Sequence, residues 1–506
     1  MIKRRKNLIA VCLIFLVGFL ARTIFFGSIP TGLNQDEAFA AYDAWSLMTA
    51  GVDSAGYRFP VYLTAWGSGM NALETYLMIP CFALFGMEKW VIRLPQLIVA
   101  LLSLLAVYDM TKRMAGSKMA LCFMALTAIC PWHIMLSRWA LESNMAPGFI
   151  LFGLCFFVRG LENSKWFMLS ALMYGLSLYC YATIWPIVPL ILLLQLIYCR
   201  KKIRLDRYTV ISVGILGLIA SPLLMFMAIN YGGMEEIRTA YFSVPKLLVV
   251  RSDEISFTNV WENTKNMLRV ILRQTDGSEW NEAGKYGILY LASLPLWVLG
   301  IFSSIEKMWK ERGRPCLEGL MMIWFAGGIL LGVLVHVNVN RINIIFLPLI
   351  FFIAKGAMQM CDHFGKPAKL LLPLMYAVLF ASFMCYYVTE FPGRIAYFFN
   401  DGVESALEAV ENREGDVYLD ESIFHSQVLF YTKTPQKDFE ETVVYKQYPA
   451  TYLHAKSFGR YNFYVDAKKA DSSANYILRN PGDIEVFQNL GYTLEKHGVY
   501  TLAYKE

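Results

Sequence analysis

Long runs of apolar residues alternate with short polar clusters along this chain. The runs fall at about 8–26, 90–111, 119–136, 146–160, 166–182, 184–199, 208–229, 286–303, 318–335, 342–360 and 370–388. Most reach the roughly 18 residues that a helix needs to cross about 30 Å of hydrocarbon. They predict about eleven transmembrane helices, an all-α polytopic membrane domain over residues 1–389. Three polar pieces are left over. The first loop, 28–89, contains two amphipathic or short apolar helices, and a second loop covers about 230–285. The tail, 390–506, alternates strand-like runs (Val417–Leu419, Tyr461–Val465, Val499–Tyr504) with helical stretches (Val403–Glu411, Ser422–Tyr431), which predicts a small C-terminal α/β domain.

The loops set an orientation. Lys and Arg gather at 3–6, at Lys112, Arg113 and Lys118, at Arg159 and Lys165, over 200–207, over 307–314, and at Lys366 and Lys369. The loops on the opposite side have Arg58, Arg138 and Arg341, besides one longer segment. Basic residues stay on the cytoplasmic side of short loops. A multi-pass cell-membrane protein with a cytoplasmic N-terminus and an extracytoplasmic tail follows. The first run is long for a cleavable signal and lacks a small-x-small site, so it reads as an uncleaved helix.

Composition narrows the class. The chain is 56% hydrophobic and 17% charged, against about a quarter charged in soluble domains, and its mean hydropathy is +0.42. The net charge of +6 is scattered in short clusters, not gathered on one polar face, which excludes a nucleic-acid partner. None of the 10 cysteines follows a metal spacing, and none lies beyond Cys385, so the tail is not a disulfide scaffold.

The span centres are nearly free of charge, whereas transporters place ionisable groups there. Lys355 lies near an inner end and can snorkel, and Arg93 opens a span on the outer side. The polar residues gather instead at the outer mouth: Asn34-Gln35-Asp36-Glu37, Arg58, Asn71, Glu74, His133, Arg138, Glu142, Asn144, and the stretch His336 to Asn343 with Asn340 and Arg341. This places chemistry at the external interface.

A helix from Gln35 to Ala50 fits Asn34 as its N-cap and Gly51 as its stop. Phe39, Tyr42 and Trp45 recur every three residues, as in a helix lying in the membrane interface. Asn34 and Glu37 have capping-box spacing. Neighbouring side chains diverge by about 100° on a helix, so one of Asp36 and Glu37 can cap while the other faces a site. Structural readings also exist for the other clusters. Arg138 and Glu142 are four apart, as in an intrahelical ion pair. His133 reads as an interfacial histidine with one hydrogen bond, and His336–Asn343 as a polar turn.

An acidic pair just after the first span, two surface helices, and Trp90-Val91-Ile92-Arg93-Leu94-Pro95 opening the next span together resemble the GT-C glycosyltransferases. Within them the chain is most similar to the protein O-mannosyltransferase and aminoarabinose-transferase branch, over roughly residues 8–200. Ser137-Arg138-Trp139-Ala140-Leu141-Glu142 resembles that family's second external acidic loop. The resemblance implies a GT-C membrane core with an external tail, and transfer of a mannose-like hexose or related sugar from a polyprenyl-phosphate donor, undecaprenyl in a bacterial membrane. The acceptor is a protein Ser/Thr, a wall polymer or a lipid glycan. Asp36 matches the family's catalytic aspartate, Glu37 its acidic neighbour, and Glu142 the acid of the second loop.

Some relatives carry a Lys or His before a Pro in the second surface helix. Here the stretch is Trp66-Gly67-Ser68-Gly69-Met70-Asn71-Ala72-Leu73-Glu74, without that cation. The phosphate contact then falls to other residues, Arg138 first and Arg341 second, with His133 helping. Asn340, Arg58 and Asn71 complete the substrate-binding set. Asp36 is assigned as the base of an inverting displacement, with Glu37 and Glu142 orienting. A divalent ion between Asp36 or Glu37 and Glu142 is left open, and no cofactor is indicated by spacing. Two other classes share the topology: a lipid-linked sugar flippase or transporter, and a non-catalytic partner in envelope-polymer assembly.

Overall fold

The computed structural model describes residues 2–250 and 258–505, with the side chains of 2–4 excepted. Lys3 and Arg4 of the expected basic cluster, residues 251–257 of the second loop, and Glu506 therefore lie outside the described side chains. Among the described residues, nine helices are long and apolar enough to cross a membrane. The expected eleven spans map onto them simply. Leu94–Ile129 takes up two expected spans, because its backbone leaves helical geometry at Gly116 (φ 82°, ψ 167°), a conformation open to glycine. The span expected at 166–182 is a 12-residue apolar helix, Trp166–Ser177, followed by a separate 3-10 turn.

The chain forms two compact units. One comprises Met1–Phe26, Pro95–Ser221 and Ser252–Thr389. Its helices Leu294–Lys310 and Phe346–Phe364 meet through glycines. A Cβ on Gly300 would fall 1.8 Å from the Phe352 carbonyl oxygen, and one on Gly356 1.9 Å from that of Leu296. Small residues let helix backbones approach closely in a membrane, where packing must supply the attraction. Lys355 does not snorkel: its Nζ lies 2.8 Å from Oε1 of the buried Glu318, which Lys307 also contacts.

The other unit gathers Gly27–Leu94, Pro222–Arg251 and Glu390–Glu506, so the first loop and the tail fold together. It contains a hairpin of β1 (Ile237–Arg238) and β2 (Ser243–Val244). Its main sheet has seven strands: β3 (Val417–Leu419), β4 (Val444–Tyr445), β5 (Ala455–Phe458), β6 (Tyr461–Asn462), β7 (Asn475–Leu478), β8 (Thr493–His497) and β9 (Tyr500–Tyr504). The spatial order is β4-β5-β6-β3-β7-β9-β8. The central β3 runs parallel to β6 and β7, and the outer pairs are antiparallel. Helices Val403–Glu411 and His425–Thr432 cover the sheet with Leu407, Val410, Val428 and Leu429 in the common core.

The Gln35–Thr49 helix packs into this same core. Tyr42 is fully buried there and Trp45 packs against it, and the Tyr42 hydroxyl donates to the Thr434 carbonyl at 3.0 Å. Gln427 Nε2 donates to Leu33 O at 2.7 Å, and Ser426 Oγ to Gln35 O at 3.1 Å. The three-residue aromatic spacing thus marks a protein-buried face, not one laid in lipid. Burying a large aromatic ring is worth roughly 1.5–3 kcal/mol, and a folded partner on the tail provides that burial.

Candidate active site

Asn34 opens the Gln35–Thr49 helix with extended backbone (φ −69°, ψ 153°), and its Oδ1 accepts from the Asp36 amide at 2.9 Å. Glu37 reaches back to the Asn34 amide at 3.1 Å. The same carboxylate takes Arg93 Nε at 2.8 Å and Nη2 at 3.0 Å, and both side chains are 0% exposed. Glu37 is therefore the capping member of the pair. Asp36, one residue earlier, is only partly buried. Its Oδ1 accepts from the Trp66 indole N–H at 3.0 Å. A charge-assisted bond to a planar donor fixes the carboxylate's direction.

Trp66 is held from several sides. Its carbonyl accepts from the Leu453 amide at 2.7 Å. Gly67, at φ +93°, forms an antiparallel bridge with Tyr452 and accepts from the Val249 amide at 3.2 Å. The indole packs against Phe39 at 4.4 Å and His425 at 6.1 Å. His425 is fully buried, and burial, followed by the neighbouring His454, pushes its pKa down to about 3. It is thus a neutral ring at physiological pH, excluded as an acid but suited to packing.

The remaining expected residues of this unit are dispersed. Arg58 is exposed in the loop after the helix. Asn71 is buried just before the Leu73–Phe85 helix, as is Glu74 in its first turn. On the Gln35–Thr49 helix and in the loop just after it lies a pair that the sequence pattern did not single out. Asp43 and Asp53 are both fully buried. Asp43 Oδ1 accepts from the Ser54 amide at 2.8 Å, and Asp53 Oδ1 from those of Ala55 and Tyr57 at 3.0 and 2.8 Å. Burial raises both carboxyls above their ordinary range, and Asp43 raises Asp53 further.

The other expected residues belong to the first unit. His133, in the short helix Pro131–Leu136, meets Arg22 Nη2 at 2.7 Å through Nδ1. Arg22 is fully buried and also donates to the carbonyls of Gly18, Thr127 and Ala128. Arg138 is buried too, with Nη2 2.7 Å from Phe25 O and its guanidinium 5.4 Å from the Tyr387 ring. Arg138 and Glu142 do not share a helix: one follows the cap residue Ser137, and the other opens a 3-10 turn. Asn340 and Arg341 are half-buried, and Arg341 Nη1 donates to His336 O at 3.4 Å. The two polar stretches of this unit are tied by Asn343 Nδ2, which donates to Ser143 O at 2.7 Å.

Trp66, Arg93, Arg22 and the Asp43–Asp53 pair were missed as partners. Only Trp66 carried a local signal, the glycines at 67 and 69, which mark a special backbone. Among the described residues, no group of three or more His, Cys, Asp or Glu could hold a metal ion.

Residues 72–226 match the family model described as Dolichyl-phosphate-mannose-protein mannosyltransferase. No curated protein matches the chain. Among solved structures, the fold is similar to that of ArnT from Cupriavidus metallidurans in the apo state. The two align over 99% of this chain and 98% of that one, at TM-score 0.58 and 12% identity. ArnT bound to undecaprenyl phosphate aligns over 98% and 97%, at TM-score 0.53 and 13% identity. AglB, the oligosaccharyltransferase of Archaeoglobus fulgidus in complex with an inhibitory peptide and a dolichol-phosphate, aligns over 86% of this chain and 63% of its own. There the TM-score is 0.50 and the identity 12%.

Proposed function

We infer that this chain, a membrane glycosyltransferase of the GT-C superfamily, moves a sugar from a polyprenyl-phosphate carrier to an acceptor hydroxyl on the outer face of the membrane. The observation that carries the reading is the division of labour between two adjacent acids. Glu37 closes the capping box and pairs with the buried Arg93, while Asp36, next to it, is only partly buried and takes the Trp66 indole N–H. A carrier of the kind bound by ArnT, undecaprenyl phosphate, supplies the activated donor.

The phosphate of such a donor is already a competent leaving group. The protein's task is to accept a proton and to stabilise departing charge. In the assigned step, the acceptor oxygen attacks the anomeric carbon and loses its proton to Asp36, a positioned general base. The new C–O bond forms as the C1–O bond to the lipid phosphate breaks, and its electron pair leaves with the phosphate. One displacement inverts the anomeric centre, as in single-step glycoside chemistry. We assign the phosphate to fixed cationic donors, Arg138 first and Arg341 second, with His133 in support. Glu142 and Asn340 orient substrate in that unit, and Arg58 and Asn71 do so in the other. The sugar is assigned only as a mannose-like hexose or a relative.

The lipid explains the membrane setting. Each buried CH₂ is worth about 0.8 kcal/mol, so a polyprenyl tail stays in the bilayer and its head is met at the interface. The basic loops favour an N-terminus in the cytoplasm and a tail outside, and on that orientation the lipid head is presented at the outer face.

Mass spectrometry of surface glycans tests the reading. A deletion strain should lack one sugar residue that the parent carries, and complementation with the intact gene should restore it. An unchanged glycan profile would turn the assignment toward a flippase or a non-catalytic assembly partner.

A further inference from the structure

The tail places three rings around Trp66 that the displacement as described does not use. Phe424 meets the indole edge-on at 5.5 Å, His454 lies at 6.0 Å, and Tyr452 at 6.5 Å. Phe424 and His454 are 5.4 Å apart with their planes 40° from each other. The layer beneath is closed: Trp66 is 4% exposed, and Phe39 and His425 are buried. The outer layer is open, with Tyr452 52% exposed, His454 exposed and Phe424 half-buried. The Trp66–Leu453 hydrogen bond and the Gly67–Tyr452 bridge fix the outer rings to the loop that holds Asp36.

Folded chains put most large rings inside. Grouped, partly exposed aromatic and imidazole rings on a rigid frame beside one carboxylate make a ligand surface with few polar anchors. The nearby charge is internally matched, since Lys446 pairs with Glu421 at 3.0 Å. A pyranose fits this chemistry: its C–H face stacks on rings, and its hydroxyls suit the phenol, the imidazole and a carboxylate. A peptide strand fits worse, because the sheet edge here, β4, is two residues long with a register shift and offers little backbone to pair with.

We propose that Phe424, Tyr452 and His454 form a pyranose subsite on the outer side of Trp66, seating a sugar with a hydroxyl toward Asp36. The proposal rests on the reading of Asp36 as the base. Donor sugar and acceptor glycan share the pyranose, and the test separates them.

Saturation-transfer NMR on the full-length protein in lipid nanodiscs, with methyl mannoside, methyl glucoside and methyl N-acetylglucosaminide as probes, reads the subsite without turnover. At least one glycoside should receive saturation on its ring C–H protons. Tyr452→Ala and His454→Ala should each reduce it about fivefold or more, and Tyr452→Phe should keep it. Tyr241→Ala, on an exposed turn of the β1–β2 hairpin, should leave it unchanged. Displacement of the glycoside by farnesyl-phosphoryl mannose marks a donor-sugar seat, and retention marks an acceptor seat; either supports the subsite. Absence of saturation on every glycoside, equal saturation in Tyr452→Ala, or saturation of an Ala-Ser-Thr-Ala peptide in their place would overturn it. An Asp36→Asn enzyme that turns over normally yet binds glycoside through Tyr452 would remove the base and leave the subsite. An inactive Asp36→Asn enzyme beside a wild-type protein that binds no glycoside would do the reverse.

Discussion

Arg93 grips Glu37 with two nitrogens, Nε on Oε1 at 2.8 Å and Nη2 on Oε2 at 3.0 Å, and neither side chain is exposed. The guanidinium also donates to the carbonyls of Pro30 and Gly32, each at 2.7 Å. One buried ion pair therefore fastens the loop before the Gln35–Thr49 helix to the residue just ahead of the next span. Removing one partner of a buried pair costs about 3–5 kcal/mol, because the other charge is left uncompensated. Arg93→Ala and Glu37→Gln should therefore lower the amount of folded protein and its Tm, with activity per folded molecule nearly kept. Detergent-extract thermal unfolding checks this. Glu37→Gln protein of normal Tm and no activity would move Glu37 from support into the chemistry.

Gly67 should tolerate no side chain. At φ +93°, an added Cβ would sit 2.8 Å from the Ala450 carbonyl oxygen, in a conformation that L residues rarely adopt. Gly67→Ala should shift the Trp66 loop and cut turnover severalfold more than it lowers protein level. Comparable losses in both would mean that the loop serves folding alone.

The buried acids Asp43 and Asp53 should make the stability of their unit fall with rising pH. Burial raises both folded-state pKa values above the ordinary 3.8, and Asp43 raises Asp53 further. The folded state then binds more protons than the unfolded chain. Their contribution is complete below about pH 4 and is lost as pH climbs through the raised values. Asp53→Asn keeps a carbonyl acceptor for the Ala55 and Tyr57 amides and removes the titration. Its Tm should fall less than the wild type's between about pH 5 and pH 8. An identical slope in both proteins would contradict the linkage.

Local signals carried far in this chain. Asn34, Glu37 and Gly51 bracket a helix whose observed limits, Gln35–Thr49, differ from expectation by one residue, because caps act over neighbours in sequence. The strand Val417–Leu419 and the helix Val403–Glu411 fall where their patterns put them. Contacts across long separations were illegible. Trp66 and Asp36 are thirty residues apart, and Tyr42 enters a core made by residues beyond 400; no local period encodes either. Arg138 and Glu142 show the opposite failure. Their spacing suits a helix, but the helix ends at Leu136, so the i, i+4 rule had no helix to act on.

The central claim is proton acceptance by Asp36, and turnover by the purified Asp36→Asn protein tests it most directly. The substitution keeps the side chain's shape and an oxygen for the Trp66 indole while removing the basic group. Loss of a general base lowers rates by roughly 10²–10⁴-fold. The account predicts a fall of that size in sugar transfer from a polyprenyl-phosphate donor, at unchanged Tm and donor binding. Transfer within a few-fold of wild type would contradict it.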